Sequence, residues 1–131
     1  MNFISIEEFL KQSKKVQSVL LEWWNSIPKN KRIYDLATYK DKKMVEIVWF
    51  YPSKTWKDLI PLLQMHQLIQ FIEDKTNTKY DIIYSKGKNQ FINFYNMNVD
   101  EDKPIYKINE HNLLQALWEV TIKIAEEALN E

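Results

Sequence analysis

The chain has no cysteine, a single glycine and only two histidines in 131 residues. Each scarcity closes a class of chemistry. Without cysteine there is no disulfide, no thiolate nucleophile and no cysteine-ligated zinc. One glycine cannot build a phosphate-cradling loop, which argues against nucleotide enzymes of the P-loop or dinucleotide type. No serine stands in a nucleophile-elbow context. No apolar run approaches the roughly 20 residues that span a bilayer. Residues 1–8 are acidic where a signal peptide is basic. The chain is therefore expected to be intracellular, in a reducing cytoplasm, with no membrane partner. Eighteen basic residues balance eighteen acidic ones, so no bulk field draws in DNA or an anionic surface.

What is present is apolar and aromatic. Apolar residues make up 45% of the chain and aromatic ones 14%, five of them tryptophan. A chain of this length buries about two thirds of its unfolded surface, enough for a core without staples. One domain over residues 1–131 is expected.

The pattern of elements predicts an α+β fold, with an antiparallel sheet of four to five strands packed against three helices. Ser5 and Glu8 form a capping-box pattern, with Ile4 and Phe9 placed as a hydrophobic staple. Ile6, Phe9, Leu10, Val16, Leu20, Trp23 and Ile27 then recur near the 3.6-residue period, and Pro28 ends the helix. The polar stretch 11–15 is a place where it bends or splits. Strands are predicted over residues 32–39 and 44–51, joined by a polar turn at 40–43. Residues 52–61 read as an irregular connection. The second helix starts near Leu62 or Gln64 and ends at Thr76, with Met65, Leu68, Ile69 and Ile72 on one face and Asn77 as its stop. Residues 80–85 and 90–96 read as a hairpin whose turn holds Gly87, and 104–107 as a short edge strand. Asn109 is the expected cap of a last helix, whose apolar side carries Leu113, Leu114, Leu117, Trp118, Thr121, Ile124, Ala125 and Ala128.

Few residues offer chemistry. His66, Gln70 and Asp74 step by four along the second helix, with Glu73 beside them. A His–carboxylate pair can bind a metal or move a proton, but such a strip is more simply the polar outer face of an amphipathic helix. His111 beside Glu110 reads as a solvated first-turn residue. Asn96, Asn98, Asp100 and Asp102 alternate like the start of a calcium loop, yet its glycine and bidentate glutamate are missing. Asp35, Glu46 and Asp81 lack the Glu-x-Lys of a metal-dependent nuclease. No metal and no cofactor are therefore expected, and no catalytic residue.

The aromatics point elsewhere. Trp49, Phe50, Tyr51 and Trp56 cluster near Lys54 and Lys57. Tyr80, Tyr84, Phe91, Phe94 and Tyr95 populate the hairpin, with Lys86 and Lys88 at its tip. Such groups anchor protein interfaces or stack the bases of single-stranded nucleic acid. If Trp49 and Tyr51 face the helices, Phe50 must be covered by a partner or by a second copy of the chain, so a homodimer is compatible with the pattern. The expected partner-contacting residues are Tyr51, Trp56, Lys86, Lys88, Asp100, Glu101 and Asp102.

Residues 60–63, 67–68 and 71–76 (IPLL, QL and FIEDKT), the start FISIEEF with Val16-Gln17 and Glu22-Trp23-Trp24, and the end LLQALW followed by IAEE resemble a family of small uncharacterised phage and prophage proteins of Firmicutes. The matching segments are helix faces and caps; residues 29–49 and the hairpin match poorly. The resemblance carries no catalytic residue set. It implies a non-enzymatic accessory protein in the host cytoplasm that binds a host protein or protein complex, an anti-defence role against a system such as a CRISPR effector included. The alternative is a single-stranded nucleic-acid-binding module built on the lysine-flanked aromatic sheet. A metal-dependent enzyme around His66 ranks last.

Overall fold

The computed structural model describes residues 3–28, 31, 35–39, 44–46, 59–84, 90–97, 103–108 and 112–128, with 44–46, 84 and 90 described by their backbone alone. The element order is α1 (Ile6–Leu10), α2 (Lys14–Ser26), β1 (Leu36–Thr38), β2 (Met44–Glu46), β3 (Ile60–Pro61), α3 (Met65–Thr76), β4 (Thr78–Tyr84), β5 (Gln90–Asn96), β6 (Tyr106–Ile108) and α4 (Leu113–Ala128). The α+β class is as expected. The count is not: the described residues hold four helices and two three-stranded antiparallel sheets, ordered β2-β1-β3 and β4-β5-β6.

The extra helix arises at the polar stretch. Ser5 Oγ accepts from Glu8 N at 3.2 Å, but the Glu8 carboxylate bonds Lys11 at 3.4 Å rather than returning to Ser5, so only half of the capping box forms. Ser13 then caps a new helix, accepting from Val16 N at 3.2 Å. The Gln17 amide donates to Gln12 O at 2.8 Å and Leu10 O at 3.3 Å, satisfying carbonyls that the break leaves without helical partners. Ile4 and Phe9 are both buried, as a staple requires, whereas Leu10 is 43% exposed and Trp24, outside the expected stripe, is fully buried.

The first sheet corrects the reading of residues 52–61 as wholly irregular. Ile60 and Pro61 pair with Thr38 and Ala37 of β1. A proline fits there because β3 is an edge strand and needs no ladder donor on that side. Of the first predicted strand β1 covers Leu36–Thr38, and of the second β2 covers Met44–Glu46; residues 32–34 and 47–51 lie outside the described set.

β4 and β5 pair along their full lengths, from Thr78↔Asn96 to Tyr84↔Gln90. The row Ile82–Ile92–Ile108 and the neighbour row Tyr80–Phe94–Tyr106 share one face. Ile92, Phe94 and Ile108 on that face are buried in a single core with Leu68, Phe71, Ile72, Leu117 and Trp118. α4 packs against both α2 and α3. It begins at Leu113, where Asn112 Oδ1 accepts from a first-turn amide, Gln115 N, at 3.1 Å; Asn109, the expected cap, lies outside the described residues. Ala128, expected on the apolar side, is exposed. No described helix is long and apolar enough to cross a membrane.

α3 stops as predicted. Asn77 adopts φ 53° and ψ 49°, and its N–H returns to Glu73 O. It is the one non-glycine residue with positive φ among those described. Asn77→Ala is expected to cost about 1 kcal/mol, since alanine lacks the short polar side chain by which asparagine tolerates the left-handed region, while Asn77→Gly, which removes the Cβ, should be neutral or stabilising. Urea unfolding with an unchanged slope checks both.

Burial raises the Tyr106 phenol above its usual range, and the Glu127 carboxylate adds to the effect. The folded chain then holds that proton where the unfolded chain releases it. The stability linked to Tyr106 is complete below about pH 10, the ordinary tyrosine value, and is lost as pH rises through the folded value. Tyr106→Phe should flatten the alkaline fall in melting temperature.

Candidate functional site

Pro28 ends α2 by forcing Ile27 into an extended conformation (φ −70°, ψ 132°). The last turn of α2 therefore stops against α3 and presents Trp23 to it. The Trp23 ring meets Phe71 edge-on, with centroids 5.4 Å apart and planes at 87°, a favoured aromatic geometry. Its Nε1 donates to Asp74 Oδ2 at 2.8 Å. Gln70 Nε2 donates to Asp74 Oδ1 at 2.7 Å. Both oxygens of Asp74 are thus held by neutral N–H groups.

The left-handed turn at Asn77 sends β4 back along α3. It brings Tyr80 N within 3.1 Å of Glu73 Oε2. Glu73 thereby covers one backbone amide on the free side of β4, where β4 has no strand neighbour among the described residues. Just before β1, the buried Asp35 accepts from Trp24 Nε1 at 3.0 Å.

These elements enclose a cleft of about 610 Å³. Trp23, Ser26 and Ile27 form one wall with Pro28, Lys31 and Asp35. His66, Gln67, Ile69, Gln70, Glu73 and Asp74 form the facing wall, and Tyr80 closes one end. The volume lies within the range of small-ligand sites. Among the described residues this lining holds three carboxylates and one lysine. Among the described residues the resolved ion pair is Lys11–Glu8, away from the cleft, and neither Glu73 nor Asp74 is neutralised by a cation.

The His66–Gln70–Asp74 strip expected from four-residue spacing is real. His66, Gln70 and Asp74 are exposed, as an outer helix face should be, but the strip also forms a wall of the cleft. His66 makes no hydrogen bond to a carboxylate among the described residues, so no proton relay connects them. No group of three or more His, Asp or Glu side chains among the described residues is arranged to hold a metal ion. Asp35 is buried against Trp24 and Asp81 is exposed on β4, while the Glu46 side chain lies outside the described set. The expected contact residues Tyr51, Trp56, Lys86, Lys88, Asp100, Glu101 and Asp102 lie outside the described residues, as do His111, Asn98 and Gly87.

Sequence reasoning placed Trp23 in the core stripe and Tyr80 in the hairpin, and had no place for Lys31 or Gln67. Trp23 and Asp74 are 51 residues apart, and no local spacing signals their meeting.

Trp23→Phe keeps most of the packing on Phe71 and removes the indole donor. It should destabilise the fold by about 1.5–3 kcal/mol, the net worth of a hydrogen bond to a charged group. The same loss should be absent when Asp74 has already been changed to Ala, a cycle that denaturant unfolding can close. No family model, curated protein or solved structure matches the chain.

Proposed function

We propose that the chain is a non-enzymatic binding protein, a phage or prophage accessory factor that acts by docking on a host protein or protein complex and blocking it. A host defence assembly such as a CRISPR effector is the target class the family resemblance suggests. The observation that supports docking over catalysis is the commitment of the cleft carboxylates. Asp74 holds Trp23 and Gln70, and Glu73 holds the Tyr80 amide. Fixed by neutral donors, these carboxylates keep their charge and form a concave, negatively charged surface, and neither is hydrogen-bonded to a histidine among the described residues. The scarcity of cysteine, histidine and glycine agrees with that reading.

A second reading has its own observation. On the face of the β4-β5-β6 sheet opposite the core, Lys107 Nζ lies 5.4 Å from the centroid of the Phe91 ring. Tyr95 and exposed Lys79 share that face through the Lys79↔Tyr95 pairing. Lysines beside half-buried aromatics are the elements of a single-strand stacking platform.

One experiment separates the two. The purified chain is mixed with the host's CRISPR effector complex and, separately, with a single-stranded oligonucleotide. Docking predicts a stoichiometric complex on size exclusion and loss of target cleavage, with the oligonucleotide ignored. The nucleic-acid reading predicts oligonucleotide binding that weakens steeply with salt, by a log–log slope of about −0.7 per phosphate contacted, and that falls in Lys79→Ala and Lys107→Ala. Full effector activity with salt-sensitive oligonucleotide binding would replace the docking reading with the second one.

A further inference from the structure

We propose that the cleft between α2, α3 and β4 is a receptor for a guanidinium group, an exposed arginine of the docked partner; the partner in this statement rests on the docking reading above. Glu73 and Asp74 are adjacent carboxylates on one wall. Each is oriented by neutral donors, Tyr80 N for the first and Trp23 Nε1 and Gln70 Nε2 for the second. Neither forms an ion pair among the described residues. Two preset negative charges in a concave site favour a cation with several donors, and the planar fork of a guanidinium matches carboxylates better than an ammonium point charge. Tyr80, 41% exposed at the end of the cleft, adds an aromatic ring of the kind on which a guanidinium stacks.

A separate observation points to a peptide rather than a bare cation. Gln67 is 5% exposed and lies in the cleft lining. Its Oε1 accepts from Gln64 N at 2.8 Å, which fixes which end of the amide is which. Its Nε2 has no acceptor among the described residues. The Nε2 is itself buried, so it takes an acceptor from a ligand once the Gln67 side chain turns toward the cleft. A metal ion or a simple amine brings none, whereas an arginine residue in a chain brings its own main-chain carbonyl. The cleft, about 610 Å³, is larger than a guanidinium alone and admits the side chain together with adjoining backbone. Among the described residues, the cations in the lining that compete are Lys31 and, when protonated, His66.

The test is an NMR titration of the full chain with N-acetyl-arginine methylamide, read at the Trp23 indole N–H. The citrulline analogue, equal in shape and uncharged, is the control. A saturable shift with arginine and none with citrulline is expected, lost in Glu73→Gln/Asp74→Asn. If that double variant unfolds, Lys31→Ala carries the test. Removing an exposed competing cation should tighten arginine binding by about 2- to 5-fold, the span of a surface charge pair. Equal shifts from both compounds, no saturable shift, or unchanged affinity in Lys31→Ala overturns the proposal. A null titration beside a chain that still blocks the effector removes the receptor site and leaves docking intact. Saturable arginine binding with no effector complex does the reverse.

Discussion

The bond from the Trp23 indole to the Asp74 carboxylate ties the end of α2 to the outer strip of α3. Much of the surrounding arrangement leans on it. It sets the Trp23 ring edge-on to Phe71, which is fully buried in the core. It orients Asp74 so that Gln70 can take the second oxygen. Next to Asp74 in the chain, Glu73 reaches the returning β4. A polar helix face, ordinarily left to water, is thereby built into the wall of a cleft. The donors are neutral, so the wall keeps its negative charge while gaining a fixed geometry.

Beneath that surface the core is held mainly by apolar packing. Trp24, Trp118, Phe9, Phe71 and Phe94 are its largest fully buried side chains. Trp24 satisfies its indole N–H at Asp35. Trp118 Nε1 and Thr121 Oγ1, both on the buried side of α4, have no partner among the described residues. An orphaned buried donor or acceptor costs about 1–3 kcal/mol. The apolar burial of α4 against α2 and α3 must exceed that cost for the helix to sit as it does.

A net charge of zero conceals local segregation. The cleft lining carries Asp35, Glu73 and Asp74 against Lys31. The outer face of the second sheet carries Lys79 and Lys107 beside Tyr95 and Phe91. Charge balance over the whole chain removes long-range steering, but at contact distance the local groups decide which partner is accepted. The two faces invite opposite charges, which is why protein docking at the cleft and strand stacking on the sheet are distinct readings and not variants of one.

Local chemistry was legible in the chain itself. Ser5 as a cap, Pro28 as a helix end, Asn77 as a left-handed stop, the pairing of residues 90–96 in a hairpin and the four-residue strip His66–Gln70–Asp74 all follow from forces acting within a turn or two. The division of the first helix was legible too, in the polar stretch 11–15, and rests on local bonds at Ser13 and Gln17. The cap of α4 was not read from the chain: Asn112 accepts from Gln115 N, and Asn109, the expected cap, lies outside the described residues. The separation of one expected sheet into two and the burial of Trp24 depend on contacts far along the chain. So does the cleft. Its walls come from α2, α3 and β4, and their meeting is a matter of which apolar faces bury together, since non-directional burial leaves no periodic mark at a distance of 51 residues. The sequence by itself determined the caps, stops and faces of the elements; the tertiary structure decided that one of those polar faces became a site.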